Sequence, residues 1–249
     1  MALAQDLVPL TLRAAADTHP PLSFWLTHFW EQWAGASAFS LRLLSVYLGV
    51  LTVAILYRVG RHTGGPALGL LAALVLAPSR PHIWWSQEVR DYTQAGFFAL
   101  CALWFTLRLL APPRAPGSRW RLWAGYLAAT LAAIFTHHLA LLVVLANNLL
   151  ALAVLAPRYW RRGPSAWRPL LYWVLAQLAV AALFAPWLVF HLSRAITRAA
   201  LPLPAFETFL RLSATLYTVG VTYNIEAQAV PVAALLLVAG AGALWAIRG

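Results

Sequence analysis

Charge is what this chain has least of. Only 10% of its 249 residues are charged against 62% hydrophobic, and the mean hydropathy is +0.72. Those values exclude a soluble globular domain and describe an integral membrane protein, whose apolar surface needs lipid around it. Lysine is absent: all 18 basic residues are Arg, a pattern of G+C-rich coding that carries no functional argument. The single cysteine, Cys101, lies inside an apolar run. It excludes an internal disulfide and a cysteine-rich metal site and reads as a packing residue. There is no Gly-rich phosphate loop, no Gly-x-Ser-x-Gly elbow and no cysteine nucleophile in a reactive setting, so soluble-nucleotide chemistry is unsupported. The net charge of +11 would suit nucleic acid, but the Arg residues sit in short loops between apolar runs and not along one face, so no nucleic-acid partner is expected.

What is present is a series of apolar runs of about 20 residues, the length a helix needs to cross a hydrocarbon core of about 30 Å. About seven spans can be drawn, at Phe39–Tyr57, Pro66–Trp85, Tyr92–Leu110, Trp120–Thr136, Leu139–Ala156, Leu170–His191 and Ala229–Ile247. The expected fold is all-α, a polytopic helical bundle preceded by an outer interfacial helix. Residues 1–37 form an outer juxtamembrane segment and residues 38–249 the bundle, a single transmembrane domain. Orientation follows the Arg clusters at Arg58 and Arg61, Arg114 to Arg121, and Arg158 to Arg168, which belong on the cytoplasmic side. Strict alternation then puts Arg248 inside, and Glu88, His137, His138 and the loop from Ser193 to Gln228 outside. The segment Pro20–Trp33 is too short to span and carries three Trp, as an interfacial helix does. Its two leading Pro suit a helix start. Phe206–Val219 reads the same way, with Glu207 and Arg211 spaced for a local salt bridge.

In this uncharged background one short break stands out. PHIWWSQEVRDY, Pro81–Tyr92, puts Glu88, Arg90 and Asp91 between two long apolar runs. Ionisable groups at the end of a span cost on the order of 3 kcal/mol each if forced into hydrocarbon, so they face water and a polar ligand. The bland alternative is a solvated connecting loop. His137 and His138 break another run at the same predicted side, where a single half-buried histidine is the simpler reading because adjacent residues do not share a helix face. Asp17 and His19 precede the first interfacial helix and equally suit its positive end and its cap. Arg42 is expected to pair with a carboxylate such as Glu31. Trp84, Trp85, Trp120, Trp123 and Trp187 lie near predicted interfaces, where the amphipathic indole is favoured.

HPPLSFWLTHFW from His19, AFSLRLLSVYLGVLTVAILYRVGR from Ala38 and GLLAALVLAPSRPHIWWSQEVRDY from Gly69, followed by Thr136-His137 and Ala185-Pro186-Trp187, resemble the polytopic GT-C-type glycosyltransferases. The pattern is that of the bacterial protein-mannosyltransferase and aminoarabinose-transferase group, and it covers roughly residues 10 to 195 in order. The resemblance implies an enzyme of the bacterial plasma membrane that moves a sugar from a polyprenyl-phosphate donor to a glycan, lipid or protein acceptor at the outer, extracytoplasmic face. The leaving phosphate needs a fixed cation, and the planar Arg fork binds two phosphate oxygens. Arg90 takes that role, with His19 as a second phosphate contact. The attacking hydroxyl must lose a proton to a carboxylate, for which Glu88 and Asp17 are the candidates; Glu88 could instead stabilise oxocarbenium-like charge on the sugar. Asp91, Tyr92, His137, His138 and Trp85 are candidate substrate contacts. The resemblance fixes no cofactor; some relatives bind a divalent cation near the donor phosphate, and these carboxylates and histidines are compatible with one, although no chelating spacing such as His-x-x-x-His occurs.

The chain departs from the family at both ends. Relatives carry a leading span and an acidic position in the first outer loop, well upstream of His-Pro-Pro, whereas this sequence starts 18 residues before His19 and Asp6 is too near to match. They also continue through further spans beyond the point where this chain stops. The expectation is a fragment or a misplaced start, and hence a truncated, inactive glycosyltransferase-like protein as one rival reading. A non-enzymatic lipid-carrier transporter or scaffold is the other. A transporter would place ionisable or broken helices at the membrane midplane in repeated halves, and here the charges gather at helix ends.

Overall fold

The computed structural model describes residues 6–16, 19–112, 119–163, 167–195, 205–218, 228–234 and 237. They form α1 (Leu7–Ala16), α2 (Leu22–Ala34), α3 (Ala38–Leu76), α4 (Arg80–Ser86), α5 (Tyr92–Leu110), α6 (Trp120–Thr136), α7 (Ala140–Arg162), α8 (Trp167–Ala195) and α9 (Phe206–Thr218), with no strand among the described residues. Four helices are long and apolar enough to cross a membrane: α3, α5, α7 and α8. The expected count of about seven is therefore too high for the described residues, and each difference has a cause.

The first two expected spans are merged in α3, whose 39 residues contain non-helical backbone at Gly64 and Gly65. Gly65 has φ of 86°, which only glycine adopts freely, and Pro66 opens the returning helix, where its missing N–H has no partner to lose. The two arms run back on each other: Gly49 packs directly on Ser86, and a Cβ on Gly69 would lie 2.6 Å from the Tyr57 carbonyl oxygen. The returning arm breaks after Leu76 and resumes as the seven-residue α4, so the second expected span exists as two pieces. The 17 residues of α6 rise only about 26 Å. The last expected span, Ala229–Ile247, lies mostly outside the described residues, as do 113–118 and 164–166 of the Arg-rich loops.

The packing is inverted relative to a soluble protein. Leu142, Leu145, Leu149 and Leu152 recur every three or four residues on α7 and are all exposed, as are Val174, Leu175, Leu178, Leu183 and Val189 on α8. Such stripes face hydrocarbon, while small residues line the helix contacts. One inner cluster joins Ala15, Ile134, Ala140, Val180 and Phe184 from α1, α6, α7 and α8. A second joins Leu110, Tyr126, Ala151, Leu155 and Trp173 towards the other end of the bundle.

One set of polar groups inside the bundle is bonded together. Asn148 Nδ2 donates to Gln177 Oε1 at 3.1 Å, Gln177 Nε2 donates to the Tyr126 hydroxyl at 2.9 Å, and Trp173 Nε1 donates to Asn148 Oδ1 at 2.8 Å. The network ties α6, α7 and α8 together. Asn148→Leu would leave Gln177 and Trp173 short of partners, and interhelical bonds of this kind are worth about 1 to 2 kcal/mol at most. The expected outcome is a lower thermal midpoint in detergent, checked by following helical circular dichroism on heating.

The sequence reading omitted α1, although Leu10, Ala14 and Ala15 on it are buried and Trp25 Nε1 of α2 donates to Thr11 Oγ1 at 2.9 Å. Helices α2 and α9 fall where amphipathic segments are expected, and the Glu207–Arg211 pair forms on α9, largely exposed and so of little energetic weight. Arg42 is exposed and, among the described residues, makes no ion pair with Glu31, whose Oε2 is buried without a partner.

Candidate functional site

The antiparallel packing of α5 and α6 brings the start of one beside the end of the other. At that end of the bundle the Tyr92 ring lies 5.4 Å from His137 and 4.3 Å from Trp85. The Trp85–Tyr92 contact closes the base of the turn between α4 and α5, and that turn carries Glu88, Arg90 and Asp91. Arg90 is exposed and Glu88 half-buried, and among the described residues neither side chain is bonded. Asp91 is 9% exposed, sits at the N-cap of α5 without making a side-chain cap bond, and keeps Oδ2 buried with no partner among the described residues. Thr93 and Gln94, in the first turn of α5, likewise hold unpartnered buried oxygens.

His137 ends α6 with an extended backbone, and its Nδ1 accepts from the Leu139 N–H at 3.1 Å. His138 follows in the turn to α7 and lies 4.5 Å, ring to ring, from His191 on α8. Adjacent histidines thus serve different neighbours, because they leave the helix before their faces could diverge on it. His138 Nε2, His191 Nδ1 and, one turn before His191, the buried Trp187 Nε1 are without partners among the described residues. Buried polar atoms are ordinarily bonded, so this concentration at one end of the bundle marks a place for water or a ligand. The orphaned atoms belong to α5, the α6–α7 turn and α8, three separate parts of the chain.

Burial first, and then the charges of His191, His137 and His19, push His138 down from 6.5 to about 4. That influence also places His19 near this end of the bundle. The unfolded chain takes up a proton near pH 6.5, and the folded protein resists it until about pH 4. Stability from neutral His138 is therefore complete above about pH 6.5 and is lost as pH falls from there towards 4. Thermal unfolding followed from pH 7.5 to 4 should show a falling midpoint, with a flatter acid limb in His138→Phe.

Of the residues picked out in the sequence, the structure joins Trp85, Tyr92 and His137 in one chain of ring contacts and sets Asp91 at its edge. It places no described side chain of the set against Arg90, and Asp17 lies outside the described residues. His191, Trp187, Thr93 and Gln94 were missed as a group. Trp187 and His191 are spaced i and i+4, hence on one helix face, a signal that was present in the apolar run. Among the described residues no group of three or more His, Cys, Asp or Glu is arranged to hold a metal ion.

Next to this polar end lies a cavity of about 610 Å³ between α3 and α5, lined by Trp85, Tyr92 and Thr93 and by apolar residues that include Leu56, Leu71 and Val75. A helical bundle with four helices long and apolar enough to cross a membrane, and with orphaned polar groups at one end beside an apolar cavity, defines an integral membrane protein. A family model described as dolichyl-phosphate-mannose-protein mannosyltransferase matches residues 18–190, and the chain belongs to that family. It is a membrane glycosyltransferase of the GT-C kind. Comparison with curated proteins gives no match, and comparison with solved structures gives none.

Proposed function

We propose that this chain transfers a sugar from a polyprenyl-phosphate donor to an acceptor hydroxyl at the extracytoplasmic face of a bacterial plasma membrane. The observation that carries the reading is the set of buried polar atoms around Asp91, His138 and His191 that have no partner among the described residues, set beside an apolar cavity lined in part by Trp85 and Tyr92. A sugar phosphate is polar at one end and its prenyl chain apolar at the other, which suits that pairing. Arg90, exposed on the same turn, carries the fixed charge for the leaving phosphate. His19 assists it.

Two carboxylates on that turn can take the acceptor proton, and burial separates them. Asp91 holds an oxygen shielded from water and bonded to nothing among the described residues, so it acts as the base. Glu88, half-buried, stabilises positive charge developing at the sugar. The acceptor is a glycan, lipid or protein hydroxyl. Reconstituting the chain in liposomes with a polyprenyl-phosphate mannose and following release of the polyprenyl phosphate tests the reading. Turnover that requires the lipid-linked donor is expected. Transfer from a nucleotide sugar, or no turnover with any lipid-linked sugar, overturns it.

A further inference from the structure

At the opposite end of the bundle four helix ends converge on a second cavity, of about 460 Å³. Its lining includes Trp120, Trp123, Leu155 and Tyr172, and two guanidinium groups, Arg119 and Arg168. The full length of α5 separates it from the turn bearing Asp91, about 28 Å at the usual helical rise.

Arg119 is held in place by α5. Its Nη2 donates to the carbonyl oxygens of Arg108 at 2.6 Å, Leu109 at 2.7 Å and Ala111 at 3.3 Å, and Arg158 Nη1 donates to that of Leu110 at 2.7 Å. Those are last-turn carbonyls that have no partner within the helix, and cations there also suit the negative end of its dipole. Every one of these Arg119 bonds uses Nη2, so that among the described residues Nη1 and Nε, two nitrogens of a five-donor group, are left to other acceptors. Burial, and then the charge of Arg108, both disfavour the charge on Arg119, a cost that an anion in the cavity offsets.

No carboxylate of these helices supplies that anion. From Tyr92 to Phe206 the sequence contains no Asp or Glu, so Arg119 and Arg168, with Arg108, Arg121 and Arg158 close by, form a basic region without internal neutralisation. The rest of the cavity is aromatic and aliphatic. Charge alone would suit a soluble phosphate, but such an ion gains nothing from apolar walls. A phosphate attached to acyl chains uses both, and basic pockets between membrane helices are where anionic headgroups dock.

We propose that this cavity binds the headgroup phosphate of an anionic membrane phospholipid, held by Arg168 and the remaining N–H groups of Arg119, with its chains along Trp123, Leu155 and Tyr172. The site is separate from the one that handles the donor. Because Arg119 and Arg158 also clamp the end of α5, an occupied site ties lipid composition to the packing of α5, α6, α7 and α8.

The test is equilibrium binding of fluorescent phosphatidylglycerol to the full 249-residue chain in zwitterionic detergent. Saturable binding is expected, weakened about fivefold by Arg168→Gln, the usual effect of one basic residue on an anionic lipid. Tyr172→Ala should weaken it as well and carries the test if the first variant does not fold. Arg61→Gln, on α3 and not among the residues lining the cavity, should leave it within about twofold. Equal weakening by Arg61→Gln, equal competition by phosphatidylcholine, or displacement by glycerol 3-phosphate as efficient as by the lipid itself would each overturn the proposal.

Discussion

The Asp91→Asn variant is expected to lose transfer activity by a factor on the order of 10² to 10⁴, the usual worth of a positioned general base. The substitution keeps the shape of the side chain and its place at the start of α5. Since Asp91 makes no cap bond there, the helix should not notice the change, and the thermal midpoint should stay close to that of the unaltered chain. A residue with a merely structural role would do the reverse, lowering the midpoint and sparing kcat. Activity within about threefold of the original in Asp91→Asn, with activity abolished in Glu88→Gln, would move the base to Glu88 on the same turn, because a general base is worth far more than that.

The largest expected loss of stability lies at the hairpin of α3. A methyl group on Gly69 would sit 2.6 Å from the Tyr57 carbonyl oxygen and 2.9 Å from the Arg61 nitrogen, both backbone atoms that cannot swing away. The same approach seen from Gly60 puts a Cβ 2.8 Å from the Gly69 Cα. Gly69→Ala must therefore push the two arms apart, at about 3 kcal/mol, the upper part of the range for overpacking. Gly96→Ala is the control, since a Cβ there meets nothing within 4 Å and alanine favours a helix by up to about 1 kcal/mol. Unfolding temperatures of the two variants that fall together would show that the arms are not in such close contact.

The class of the protein was open to reading because composition alone decides it: lipid must surround a chain this apolar. The turn with Glu88, Arg90 and Asp91 was legible for the same reason, as a compact charged break between two long apolar stretches. Counting spans was less successful. A hydropathy run does not reveal that Gly64 and Gly65 turn tightly enough for the chain to return upon itself, nor that the return breaks after Leu76. The pairing of His138 with His191 depends on α6, α7 and α8 packing together, and residues 53 positions apart carry no local sign of it. Helix α1 was hidden because it is only 10 residues long and buries three small or medium residues, Leu10, Ala14 and Ala15, too short a run to read as a span.

The network joining Asn148, Gln177, Tyr126 and Trp173 has a consequence for biogenesis. Helix α7 leaves the ribosome with Asn147 and Asn148 side by side in its apolar run, and the partners of Asn148 on α8 follow 25 and 29 residues later. Within α7 the Asn148 amide reaches only the Val144 carbonyl oxygen, at 3.0 Å, and an amide left partly unbonded in hydrocarbon is costly, so α7 is better satisfied in lipid once α8 joins it. The two helices should leave the insertion machinery as a pair, after α6 has already set the Tyr126 hydroxyl in place to receive Gln177. The order of elements along the chain is in this sense an assembly schedule, with the polar residues acting as its checkpoints.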